Sequence, residues 1–300
     1  MWLVLAFVSA TLLGFYDVFK KAALRDNAVL PVLFLNTVFS SIIFLPFILI
    51  SFRSPELLEG TALEIHTAGW ATHRFILLKS VIVLSSWIFG YLGMKYLPIT
   101  IVGPINATRP VMVLIGAMLI FGERLNAYQW TGVLLAVVSF LMLSRSGRRE
   151  GIDFGHNRYI LFVVLAAVMG AISGLYDKYL MKSFSPMLVQ SWYCLYQVVI
   201  LCPVLALLWW PQRHKGARFH WHWSIICISL FLSAADFAYF YALSYPDSMI
   251  SIVSMVRRGS VIVSFLCGAL VFREKNLKSK AVDLILVLIG MFFLYLGSKS

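Results

Sequence analysis

The sequence predicts an all-α membrane protein, with ten transmembrane helices arranged as two inverted five-helix repeats. Three observations carry that reading: an apolar excess too large for a water-soluble surface, span-length apolar runs along nearly the whole chain, and motifs that recur in its two halves. Hydrophobic residues make up 61% of the 300 and charged residues 13%, whereas a soluble domain is about half apolar and roughly a quarter charged. The mean hydropathy is +0.87. The excess has to face lipid. Length alone would allow one or two soluble domains, but the apolar runs leave no room for one.

A span needs about 20 mainly apolar residues. On that basis helices fall near 2–20, 29–51, 75–95, 99–121, 127–144, 159–181, 186–210, 223–243, 248–272 and 279–297. The first run, Trp2 to Phe19, is followed by Lys20 and Lys21. A signal peptide has the opposite order, with charge before the apolar core and a small-residue cleavage site after it. The run therefore reads as a retained first helix. Two loops exceed a tight connection. Loop 52–74 carries Glu56, Glu59 and Glu64, and its Ser54-Pro55-Glu56 opening has the form of a cap and first turn of a short interfacial helix. Segment 145–158 is basic and Gly-rich and is read as the linker between a first repeat, 1–144, and a second, 159–300.

Charge and cysteine usage exclude other classes. The net charge is +12, yet Lys and Arg cluster between apolar runs, as cytoplasmic loop anchors do, which argues against nucleic acid as a partner. Cys194, Cys202, Cys227 and Cys267 lie in apolar stretches without a CxxC pair, so neither a zinc site nor a disulfide framework is indicated. No metal or other cofactor is called for.

The halves match at two places. Gly14-Phe15-Tyr16-Asp17 in the first span corresponds to Gly174-Leu175-Tyr176-Asp177 in the sixth, and Ala10 then falls opposite Gly170, giving both a small-xxx-small face. Phe121-Gly122-Glu123-Arg124 corresponds to Phe272-Arg273-Glu274-Lys275, just before the fifth and tenth spans. Glu123 and Glu274 are expected to brace those turns. Because five is odd, the second copy enters the membrane upside down. Inverted repeats are the recurrent plan of secondary transporters.

These stretches, with Arg109-Pro110, Phe121-Gly122-Glu123-Arg124-Leu125 and Gln129-Trp130-Thr131-Gly132, resemble the EamA type of the drug/metabolite transporter superfamily. The resemblance covers essentially the whole chain, although Phe272-Arg273-Glu274-Lys275 departs from the usual Gly-Glu-Arg. It implies ten helices around a central cavity lined from both halves. The family is broad in cargo, spanning amino acids, sugars, nucleotide sugars and drugs.

Loops on one side of the bundle hold fifteen Lys and Arg and those on the other hold seven, counting Lys79 and Lys178 near helix ends. The positive-inside rule then places both termini, and the acidic 52–74 loop, on the non-cytoplasmic face. The expected location is the cell (inner) membrane. A homodimer is left open.

Ionisable residues at bilayer depth cost roughly 2.5–3.5 kcal/mol on insertion scales and mark function by default. Arg109 lies near the middle of the fourth span, Arg257 and Arg258 near the middle of the ninth, and Asp236 near the middle of the eighth, where the repeat puts Trp87 of the third. Three cations and one anion leave up to two positive charges without a partner if Asp236 pairs with one arginine. An anionic or zwitterionic solute would supply the missing charge through the bidentate guanidinium fork. The competing reading has the arginines bracing carbonyls freed by Pro104 and Pro110. Arg257 and Arg258 stand about 100° apart on a helix, so both should not face one cavity squarely.

Ser251, Ser254 and Arg258 share a face at i, i+3, i+7, as do Gly103, Asn106 and Pro110. Asp17 and Asp177, near helix ends, are candidates for gating or coupling, with Lys20 or Lys21 in reach of Asp17. Trp87, Tyr91, Tyr176, Tyr239 and Tyr241 are candidate pocket aromatics, Tyr239 first because it lies one turn from Asp236.

The expected function is a secondary carrier of a small polar metabolite working by alternating access. A flippase for a lipid or lipid-linked anionic headgroup is the alternative. An intramembrane enzyme ranks lower, because all six histidines fall in loops or at span edges and no catalytic constellation appears. A channel ranks lower still, without a repeated pore-lining charge ring.

Overall fold

The computed structural model describes residues 1–300 apart from 110, 114, 117–125, 129, 133, 136–137, 139–141, 143–155, 214–216, 246–247, 249, 272–276 and 300. The matched motif at 121–125, its partner at 272–275, Pro110 and most of the 145–158 linker lie outside the described residues, as does the side chain of Ser251.

Among the described residues the regular secondary structure is entirely helical. The first half contains α1 (Trp2–Leu24), α2 (Val29–Arg53), α3 (Trp70–Tyr96) and α4 (Ile99–Ala107). The second contains α5 (Arg158–Met181), α6 (Pro186–Val204), α7 (Ser224–Ser244), α8 (Ile250–Arg258), α9 (Ser260–Leu270) and α10 (Leu277–Lys299). α1, α2, α3, α5, α6 with its following turn, and α7 are each long and apolar enough to cross a membrane. The Asn157 and Ser185 side chains cap α5 and α6 by accepting from the backbone N–H of Tyr159 at 2.9 Å and Leu188 at 3.4 Å.

Four boundaries differ from expectation. α3 begins at Trp70 rather than 75, because Thr72, His73 and Arg74 lower the hydropathy without interrupting the helical bonds (Thr72 N–H to Gly69 O, 2.9 Å). α1 runs to Leu24, since Lys20 and Lys21 end the apolar run but are good helix formers; Asp26, at φ 52°, follows in the left-handed turn. The fourth span turns at Thr108, and the ninth is two helices meeting at Gly259. The opening of the 52–74 loop is a single 3-10 turn, Pro55–Leu57, with Ser54 at its N-cap but making no side-chain cap bond.

Hydrogen bonds at one end of the bundle fix the relative directions of the halves. Lys21 Nζ donates to Met94 O (2.9 Å) and Leu97 O (2.6 Å), and Lys95 Nζ to Asn27 O (2.8 Å), so the C-termini of α1 and α3 lie together. The N-termini of α5 and α7 join them: Tyr96 stacks on Tyr159, with centroids 4.1 Å apart, and Asn27 exchanges two bonds with the His220 backbone, at 2.7 and 2.9 Å. α5 and α7 therefore run opposite to α1 and α3. At the other end Tyr176 Oη donates to Phe75 O (3.2 Å).

The packing has the same symmetry. α1 packs on α7 and α3 on α5; α2 contacts α7 and α3 contacts α6; α2 meets α6 and α4 meets α9; α1 meets α8 and α9, and α4 meets α5. Exchanging the two halves turns this set of contacts into itself. Glycine allows the closest approaches: a methyl on Gly14 would lie 2.5 Å from Val263 Cβ and 3.0 Å from Ser260 O, and one on Gly93 would collide with Val163 Cγ2. Polarity is sorted as lipid requires. Asn36, Gln190 and Gln197 are fully buried, while Phe7, Leu49, Leu161 and Val199 face outward.

Candidate functional site

A cavity of about 130 Å³ lies between the halves, lined from α1, α3, α4, α5, α6, α7, α8 and α9. Arg109, Arg257, Arg258, Asp236, Asn106, Ser254, Tyr239, Trp87, Asp17 and Asp177 all contribute to its wall. Tyr91 lines it too. Tyr176 is turned to the Phe75 carbonyl, and Tyr241 packs on Phe237 at 4.6 Å.

Asp236 projects from α7, where its Oδ1 accepts from Arg257 of α8 and its Oδ2 from Tyr193 Oη of α6 at 2.8 Å. The Arg257 guanidinium also lies over the Tyr239 ring, 4.1 Å from its centre. Three helices are thereby joined through one carboxylate. Contrary to the facing argument, Arg257 and Arg258 both reach the cavity. The length and flexibility of the arginine stem take up the angle between neighbouring positions.

Arg109 follows the turn at Thr108 and donates from Nη2 to Asn106 Oδ1 at 3.1 Å. Its guanidinium lies against Gly170 of α5, where a methyl would come within 2.6 Å of both Cζ and Nη1. Arg258 ends α8 beside the break at Gly259. Each arginine thus sits at an interruption of its helix.

Two lysines complete the charge set, and sequence reasoning placed neither there. The hydropathy pattern sets Lys79 near a helix end. With α3 starting at Trp70, it lies about 13 Å along the helix axis. It is 2% exposed and ion-pairs with Asp177 of α5. Lys20, counted with the first loop, is buried in the extended α1 and pairs with Asp17 at 2.7 Å. Trp70, an interfacial residue type ahead of a polar stretch, was the available signal that α3 starts early. Removing one lysine from each side leaves the loop charge bias as it was.

The described lining residues thus hold five cations, Lys20, Lys79, Arg109, Arg257 and Arg258, against three carboxylates, Asp17, Asp177 and Asp236. Lys20, Lys79 and Arg257 each have a carboxylate. Among the described residues Arg109 and Arg258 have none, and the Nε of each is buried without a hydrogen-bond partner.

Comparisons with known proteins agree with this architecture. A search of curated proteins finds no match. One solved crystal structure is similar over 97% of this chain and 98% of its own, with a TM-score of 0.62 at 16% identity, a likeness of fold. The EamA-like transporter family model matches twice, at residues 1–145 and 157–296. The chain is a multi-pass integral membrane protein and belongs to the EamA-like transporter family of the drug/metabolite transporter superfamily.

Proposed function

We propose that this transporter carries a small anionic or zwitterionic metabolite, amino-acid-like or phosphorylated, by alternating access. Arg109 and Arg258 would hold the anionic group. The observation that carries the reading is the pair of arginines in the inter-repeat cavity that, among the described residues, lack a carboxylate, while each of the other described lining cations has one. A buried guanidinium pairs best with a carboxylate or phosphate through two parallel bonds. Asn106 orients Arg109, and Asp236 with Tyr193 holds Arg257 in place, leaving Arg258 for the solute. Ser254 and Trp87 supply a hydroxyl and a flat wall.

Alternating access is supported by contacts that survive exchange of the halves. If each half can adopt the other's conformation, the same site faces alternate sides in turn. The interruptions at Thr108 and Gly259, beside the arginines, would serve as the hinges. Asp17 and Asp177, toward opposite ends of the cavity, are positioned for gating or coupling. The partners are then the solute and the bilayer.

The test is thermal stability of the purified protein against phosphates, carboxylates, zwitterions, cations and lipid headgroups. A ligand at about 100 times its Kd adds about 2.7 kcal/mol to the folded state. Stabilisation by phosphate or carboxylate, lost in a folded Arg109→Gln variant, is the expected result. Stabilisation by lipid headgroups alone would favour a flippase, and stabilisation by cations alone would return the arginines to a bracing role.

A further inference from the structure

The carboxylates at the two ends of the cavity are enclosed in the same way. Asp177 is paired with Lys79, whose Nζ lies 4.9 Å from the ring centres of both Tyr193 and Phe240. Asp17 is paired with Lys20, whose Nζ lies 4.3 Å from the Tyr16 ring centre and 5.4 Å from that of Tyr91. A carboxylate flanked by aromatic faces is the chemistry that binds an ammonium ion.

The repeat relates the carboxylate and one ring of each cage, but neither the second ring, Tyr16 of α1 against Tyr193 of α6, nor the lysine. Asp17 matches Asp177, and Tyr91 matches Phe240, each one turn beyond the matched pair Trp87 and Asp236. Lys20 and Lys79 are not equivalent, one standing on α1 and the other on α3. The positions that match them are Leu180 and Ile228. A carboxylate and one aromatic ring recur, while the second ring and the lysine come from a different place each time.

We propose that Asp177, Tyr193 and Phe240 form an alkylammonium-binding site with Lys79 as its tethered occupant, and that Lys79 is a specificity-determining residue of this transporter. By keeping its own ammonium in the cage, Lys79 denies that site to the amine of a cationic solute. Lys79 is 2% exposed, with Asp177 at 5%, Tyr193 at 3% and Phe240 at 2%, and its ammonium already takes both the carboxylate and the two ring faces. Lys79→Ala removes the side chain beyond Cβ and leaves a carboxylate and two ring faces around a space that a small alkylammonium ion fits. The inference does not depend on the anion reading of Arg109 and Arg258.

The experiment compares purified wild type, Lys79→Ala and Lys79→Ala/Asp177→Asn, each titrated with methylammonium chloride against equal sodium chloride. The expected result is a saturable rise in Tm with methylammonium in Lys79→Ala, absent from the wild type and from the double variant. No rise beyond that given by sodium chloride overturns the proposal, as does an equal rise in the wild type or in the double variant. Should Lys79→Ala fail to fold in plain buffer, methylammonium chloride is present throughout solubilisation. Recovery of monodisperse protein with methylammonium but not sodium then supports the cage, and no recovery overturns it. Phosphate and carboxylate binding by the wild type is measured separately, so failure of either proposal is distinguishable from failure of the other.

Discussion

Gly170→Ala tests the role of Arg109 without removing its charge. The added methyl would lie 2.6 Å from Cζ and Nη1 and 2.9 Å from Nε of Arg109, whereas ordinary contact begins at 3.4 Å. The guanidinium must retreat by roughly 1 Å, which the flexible end of an arginine does at little cost. Stability should hold or improve, because alanine is favoured over glycine in a helix interior by about 0.5–1 kcal/mol. A bidentate anion contact does not survive such a shift intact. Losing one charge-assisted bond costs about 1.5–3 kcal/mol, or roughly 10- to 150-fold in Kd. Stability and affinity thus move in opposite directions, unlike the response to general damage. Gly174→Ala, one turn further along α5 and also on the cavity wall, is the control, since a methyl there meets nothing within 4 Å. The assay is a Tm titration of all three proteins with the phosphate or carboxylate probe that stabilises the wild type. Equal affinity in Gly170→Ala and Gly174→Ala would refute the assignment of Arg109 to the anion.

Three further outcomes follow from the geometry. Gly93→Ala drives a methyl into Val163 Cγ2 at the contact of α3 with α5, and overpacking of this kind costs about 1–3 kcal/mol. Val163→Ala should restore most of the lost Tm, and additive losses in the double variant would show that the two positions do not meet. Asp236→Asn leaves the Arg257 guanidinium buried without its carboxylate, a loss of about 3–5 kcal/mol. Asp236→Asn/Arg257→Gln should be less destabilised than Asp236→Asn alone, read by thermal unfolding. The loop-charge bias predicts residues 54–69 on the non-cytoplasmic face. A cysteine at exposed Glu59 should accordingly react with a membrane-impermeant maleimide in intact cells, and labelling only after lysis would invert the topology.

Much of this site was legible before any coordinates because lipid makes charge conspicuous. Arg109, Arg257, Arg258 and Asp236 interrupt apolar runs that tolerate them only with a purpose, and all four line the cavity. The inverted arrangement was legible from a few matched residues and an odd helix count. Lys20 and Lys79 were hidden because a hydropathy window ends where polar residues begin, whereas the helix itself ends where its hydrogen bonds do. Five extra residues at the start of α3 put Lys79 well inside the helix, where it is buried, rather than near its end.

The sequence by itself determined the solvent, the helical class, the duplication and which charges stand inside apolar runs. Tertiary structure decided which charge met which. Arg257 rather than Arg258 took Asp236, Lys79 reached Asp177 across 98 residues of chain, and Gly170 made space for a guanidinium rather than for a neighbouring helix. Those choices depend on the rotation and depth of one helix against another. Hydropathy constrains both only loosely, because any face that keeps polar groups from lipid satisfies it; packing and ion pairing select one.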